Sequence, residues 1–292
     1  WANIAETLVR VMLCLGLALL DFGVTELFSA FLFSRFIAVW VYWSKGSIGS
    51  IIDFSRLSLK AVIVYIKQCP TFLGILLLSV GIGRFDFIFL SLLATMLDVG
   101  LYSPPFKIYE MGLMIPSVIT VVLFPVFARF FNQSNEKFTD LFKSIFRINF
   151  LIGLPLVILL ANVSGIIIPM IFGDEYLPSV SVLQILSFAI LFIAMDQVLT
   201  LVVLAGHRED LELRILIVSF VVYIILLLIL IPKMGFYGAA IATLVTTGFK
   251  LVFRYSIVRK EMNMPSVLSS LYKPAVAGSV MAAMATVLDF TN

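Results

Sequence analysis

Apolar residues in this chain come in long unbroken runs rather than in short alternating stretches. Ile215–Ile231 carries no charge at all, and such a run far exceeds a strand or an ordinary core helix. A helix needs about 20 apolar residues to cross the hydrocarbon core. Backbone groups in lipid must be satisfied within the segment, so these runs are expected to be helical. The pattern predicts nine spans, near 4–20, 24–43, 71–95, 100–130, 146–170, 178–205, 211–231, 235–257 and 272–290. In the first, Arg10 leaves only Val11–Leu20 uninterrupted. Between the second and third, Ser55–Cys69 mixes Arg56, Lys60 and Lys67 with Leu57, Leu59, Val62, Ile63 and Ile66. That mixture suits an amphipathic helix lying on the membrane surface.

Composition agrees with the pattern. The chain has 292 residues, 62% hydrophobic and 13% charged, with a mean hydropathy of +1.14. A soluble domain carries about 45–50% apolar and about 25% charged residues. The chain is therefore read as an all-α polytopic membrane protein, and a soluble enzyme is excluded. Cys14, Cys69 and the lone histidine, His207, show no metal-ligand spacing, and no disulfide framework is expected. The chain begins at Trp1 without a short apolar signal region, so it is expected to be a fragment targeted by its own helices.

The connections alternate in charge. Lys45, Arg56, Lys60 and Lys67 precede the third span, and Arg129, Lys137, Lys143 and Arg147 follow the fourth. Arg208 and Arg214 flank the turn between the sixth and seventh, and Arg254, Arg259, Lys260 and Lys273 follow the eighth. Of the opposite connections, Asp21–Gly23, Asp98–Ser103, Gly173–Pro178 and Pro232–Gly235, only the last carries a basic residue, Lys233. The positive-inside rule places the basic side in the cytoplasm, so a multi-pass protein of the cell inner (plasma) membrane is expected.

A few charges fall inside the spans, where charge is costly and tends to face a polar cavity or a partner. Arg84 and Asp86 lie midway along the third span, in Gly81-Ile82-Gly83-Arg84-Phe85-Asp86. On an ideal helix they point about 200° apart, so each needs another partner. Lys107 and Glu110 share one face of the fourth span and either neutralise each other or line a cavity. Asp196, beside Gln197, lies near the middle of the sixth. Arg35 and Lys250 lie nearer the basic ends, where snorkelling accounts for them. Pro70, Pro104, Pro105, Pro116, Pro125, Pro155 and Pro169 punctuate the spans, as static bends or as hinges. Gly235, Gly238, Ala239, Ala240 and Ala242 open the eighth span and suit close helix packing. No Gly-rich phosphate loop ending in Gly-Lys-Ser/Thr is present, so the chain itself carries no ATP-driven motor of that kind.

Several segments, in order, carry a resemblance. Arg84-Phe85-Asp86 leads into Ile88-Phe89-Leu90 and Val99-Gly100-Leu101-Tyr102-Ser103, then Ile115-Pro116 and Leu123-Phe124-Pro125. Ile171-Phe172-Gly173-Asp174-Glu175-Tyr176, Ser181–Leu186 and Ile231–Thr243 follow. This series resembles the polysaccharide-biosynthesis flippases, the O-antigen, lipopolysaccharide and exopolysaccharide exporters of the multidrug/oligosaccharidyl-lipid/polysaccharide superfamily. The resemblance covers about residues 60–260 well.

It implies two six-helix lobes around a central cavity. Residues 1–54 would hold the last two helices of the first lobe and a cytoplasmic loop, 55–260 the surface helix and second lobe, and 261–292 an extra C-terminal helix. It implies a non-enzymatic flippase that carries an undecaprenyl-pyrophosphate-linked oligosaccharide by alternating access. The implied partners are that lipid-linked oligosaccharide and membrane lipids, with polysaccharide polymerase and glycosyltransferases of the same pathway alongside. No cofactor, metal or nucleic acid is implied. The substrate cavity would draw on Arg84, Asp86, Lys107, Glu110 and Asp196, with Arg84 and Lys107 on phosphate. A drug/cation antiporter using Asp196 or Asp86, and a lipid II flippase, remain alternatives. A membrane glycosyltransferase or polymerase fits poorly, because the outside loops are short.

Overall fold

The computed structural model describes residues 7, 9–13, 15–16, 25, 29, 32–37, 59–131 and 135–261. Trp1–Lys67 and Gln68–Asn292 are two compact units. In the first, every described residue is helical, and Ser34 is buried. The expected spans 4–20 and 24–43 are described only at those scattered positions, and 272–290 lies outside the described residues.

From residue 59 onward the fold is a run of helices: α1 (Leu59–Gly81), α2 (Phe85–Leu93), α3 (Met96–Phe131), α4 (Asn135–Phe172), α5 (Ser179–Ala205), α6 (Glu209–Met234) and α7 (Phe236–Glu261). A single 3₁₀ turn, Asp174–Tyr176, joins α4 to α5. Among the described residues the five helices α3 to α7 are long and apolar enough to cross a membrane, and the bent α1–α2 pair passes the same test only when its two helices are taken together. The protein is a polytopic helical membrane bundle. Large apolar side chains such as Leu77, Met111, Val121, Met170 and Val252 are exposed on its surface. That would be a liability in water and is the normal state against lipid tails.

Residues 59–69 are helical and continuous through Pro70 with the rest of α1. One expectation changes. α4 begins at Asn135, well before the expected 146, which places Lys137, Lys143 and Arg147 on the helix rather than in a loop. Its early turns are polar enough to escape a hydropathy reading yet bury Phe138, Phe142, Ile145 and Phe146.

α5 is the interior element. It packs against α3, α4 and α7, is the most buried of the five long helices, and has apolar residues all around it rather than in a single stripe. Two apolar clusters lie along it, one with Leu186, Ala189 and Ile190, the other with Val198, Leu199 and Val202.

Prolines in α3 leave the helix intact at Pro104, Pro105, Pro116 and Pro125. Each removes one i→i−4 donor, and in lipid the freed carbonyl needs a substitute. Pro105 frees the carbonyl of Leu101, and the hydroxyl of Ser179 donates to it at 2.6 Å. That bond also ties the start of α5 to α3. The α6–α7 corner is tight for a different reason. Gly235 takes φ +55°, and a Cβ on Gly238 would lie 2.4 Å from the carbonyl oxygen of Leu230. Only glycine allows that approach, which brings α7 alongside α6 with Ala239, Ala240 and Ala242 fully buried.

Candidate functional site

The run expected as one span, 71–95, is broken. Cys69–Gly81 and Phe85–Leu93 are bent by 52° across Ile82–Arg84. Two glycines and a charged residue in four positions weaken the helix there. Arg84 and Asp86 therefore do not sit on one continuous helix, and the 200° separation expected of them does not apply. Arg84 stands at the break, and Asp86 in the first turn of α2. Broken helices deep in a membrane protein expose backbone and side-chain polar groups, which transporters use for binding.

Arg84 is drawn to α3. Its guanidinium is 2.6 Å from Glu110 and lies over the Phe106 ring, 5.7 Å from the centroid. Lys107 reaches the other oxygen of Glu110 at 2.9 Å. Glu110 thus holds two cations, which leaves the triplet with net positive charge. Arg84 and Lys107 remain 52% and 64% exposed, so both can turn to a ligand.

A cavity of about 390 Å³ opens beside this triplet. Its walls include Arg84, Phe106, Tyr109, Glu110, Thr243 and Lys250. Its volume falls in the usual range of about 300–1,000 Å³ for small-molecule sites. Lys107 is next to the cavity triplet but does not line the cavity.

Asp86 turns away from the cavity into the core. It is fully buried, accepting from the Tyr102 hydroxyl at 2.6 Å and from the Phe87 amide at 3.1 Å. Among the described residues no cation forms an ion pair with it.

Asp196 belongs to a separate network further along α5. It lies 2.8 Å from Arg254 and 3.1 Å from Lys250, both on α7. Arg254 also binds Glu212 of α6 and the Thr200 hydroxyl of α5. Four charges thus balance to zero between three helices. Arg254 is 1% exposed, so it is not the loop cation the charge pattern suggests. Lys250 is only 14% exposed and faces Asp196, so snorkelling does not describe it.

The structure joins Arg84, Lys107 and Glu110 and connects Asp196 to the cavity only through Lys250. It adds Lys250, Arg254 and Glu212 to the polar groups inside the bundle. One signal for them was present: Lys250 and Arg254 stand four apart on one face of a span, and buried Asp196 needs a cation.

Comparison with known proteins decides the family. The polysaccharide biosynthesis protein family matches residues 1–181. The chain belongs to that family. The match covers the α1–α2 break, all of α3 and the start of α5, and with them Arg84, Lys107 and Glu110. Capsular polysaccharide biosynthesis protein CapF of Staphylococcus aureus is 25% identical over 184 residues, 63% of this chain and 46% of its own length. An uncharacterized membrane protein of Methanocaldococcus jannaschii is 27% identical over 143 residues, 49% of this chain and 28% of its own. The chain spans less than half the length of either curated relative. With five helices among the described residues long and apolar enough to cross a membrane, this polysaccharide biosynthesis protein is a multi-pass membrane protein.

Proposed function

We propose that this polysaccharide biosynthesis protein is part of a flippase, not an enzyme. It would move an undecaprenyl-pyrophosphate-linked oligosaccharide across the inner (plasma) membrane by alternating access. The observation that carries the reading is Arg84, a cation at the break of a bent span, facing a cavity inside the bundle. A pyrophosphate cannot cross hydrocarbon unaided, because an isolated charge loses its hydration there. A guanidinium supplies planar, charge-assisted donors in its place. The cavity has room for the phosphates and the first sugar, while the polyprenyl tail stays in the bilayer. Glu110 would hold Arg84 and Lys107 in position when no substrate is bound. No covalent bond changes. Surface-glycan precursors such as O-antigen, capsule or exopolysaccharide fit this chemistry, and the polymerase and glycosyltransferases of the same pathway are the expected neighbours.

The test is deletion of the complete gene in its own host. Loss of surface polysaccharide together with accumulation of its lipid-linked precursor in the membrane is the expected result. Normal surface polysaccharide would overturn the reading. A second reading, a drug/cation antiporter, is favoured by Asp86, a buried carboxylate that no cation of the described residues pairs with. On that reading the deletion strain gains sensitivity to cationic drugs while its surface glycan is unchanged. Asp196 fits an antiporter less well, because Arg254 and Lys250 already occupy it.

A further inference from the structure

Two carboxylates near the cavity each hold two cations, and in each set only one cation lines the cavity. Glu110 holds Arg84 and Lys107, of which Arg84 lines it. Asp196 holds Lys250 and Arg254, of which Lys250 lines it. The arrangement decides which cations a ligand can recruit. Pulling a buried cation from its only carboxylate orphans a charge and is strongly unfavourable. Lys250 can leave without that cost, because Arg254 stays 2.8 Å from Asp196. Arg254 cannot leave, since Asp196, Glu212 and Thr200 all depend on it. Lys250 is also the more exposed of the two, 14% against 1%. A flexible four-carbon stem ending in a point charge suits a group that swings between two anions. α7, which carries it, packs against both α2 and α3, so Lys250 and Arg84 reach one cavity from different elements.

We propose that Lys250 is a second anion contact of the cavity, parked on Asp196 at rest, and that it makes the site select a diphosphate over a monophosphate. The proposal rests on the reading of the cavity as a phosphate site. One phosphate meets Arg84, and the second draws Lys250 from Asp196. A monophosphate meets Arg84 alone and leaves Lys250 parked.

The test uses the complete protein in lipid nanodiscs, titrated calorimetrically with geranylgeranyl pyrophosphate and with geranylgeranyl monophosphate. The wild type is expected to prefer the pyrophosphate by about tenfold, the worth of one charge-assisted hydrogen bond. Lys250→Gln is expected to weaken the pyrophosphate far more than the monophosphate and so to collapse that preference, and Lys250→Arg to restore it. Arg84→Gln is expected to weaken both ligands. If Arg84→Gln weakens both but Lys250→Gln keeps the preference, the role of Lys250 is overturned and the phosphate site stands. If Arg84→Gln changes neither ligand, the phosphate site itself falls. Should Lys250→Gln not fold, Asp196→Asn reads the same claim from the other side. Freed from its parking carboxylate, Lys250 should then bind pyrophosphate more tightly, and an unchanged affinity overturns the proposal.

Discussion

The guanidinium of Arg84, in the break between α1 and α2, lies 2.6 Å from the Glu110 carboxylate of α3. A cation meant for a travelling anion needs a resting partner that competes weakly. Glu110 meets that need, because the pair is partly exposed and therefore weak. Replacing Glu110 by Gln removes the competitor from both Arg84 and Lys107. Affinity for a polyprenyl pyrophosphate should then rise, by up to about fivefold. Export should slow, because release becomes harder. Calorimetric titration and the rate of appearance of surface glycan check the two halves of this expectation.

Arg254 is the keystone of the buried network. Changing it to Met leaves Asp196 with Lys250 alone and Glu212 with no ion-pair partner among the described residues. A loss of about 3–5 kcal/mol is expected. Lys250→Met should cost less, since Arg254 still serves both acids. Thermal unfolding of the purified protein in detergent ranks the two variants, and equal losses would contradict the assignment.

Ser179 supplies the donor that Pro105 removes. Ser179→Ala takes from the Leu101 carbonyl the donor that stands in for the missing Pro105 N–H. The expected cost is about 1–3 kcal/mol, the penalty of an unsatisfied buried group. Restoring the donor with Thr should recover part of it. The same unfolding measurement reads both changes.

Gly238→Ala should destabilise the α6–α7 corner by about 1–3 kcal/mol through overpacking, because the added methyl meets the Leu230 carbonyl. Gly100→Ala is the control. No atom stands within 4 Å of a Cβ there, so it should be neutral or slightly stabilising. Unfolding temperatures of the pair, measured side by side, check the contrast.

The spans were legible because lipid imposes length and apolarity on any helix that crosses it. Ile215–Ile231 lies inside α6, and Gly238, Ala239, Ala240 and Ala242 lie inside α7 with Gly235 capping α6 before it. The break at Ile82–Arg84 was hidden because the residues around it are as apolar as any other span. Hydropathy averages over the one turn where the helix fails. The charges were legible as costly, but their partners were not. Arg254 and Lys250 looked like ordinary end-of-span cations in one dimension. Only the packing of α7 on α5 and α6 turns them inward to Asp196 and Glu212. Asp86 was expected to need a partner other than Arg84, and the Tyr102 hydroxyl is a partner it accepts from.

On the proposed function, Arg84 is the cation that meets the phosphates of an anionic, lipid-linked glycan inside the bundle. That role is tested most directly in a strain lacking the chromosomal gene and expressing the complete protein with Arg84→Gln, with surface polysaccharide quantified at matched protein level. Export should fall to about a tenth of wild type or below, the loss of one charge-assisted contact. Wild-type export by that variant would contradict it.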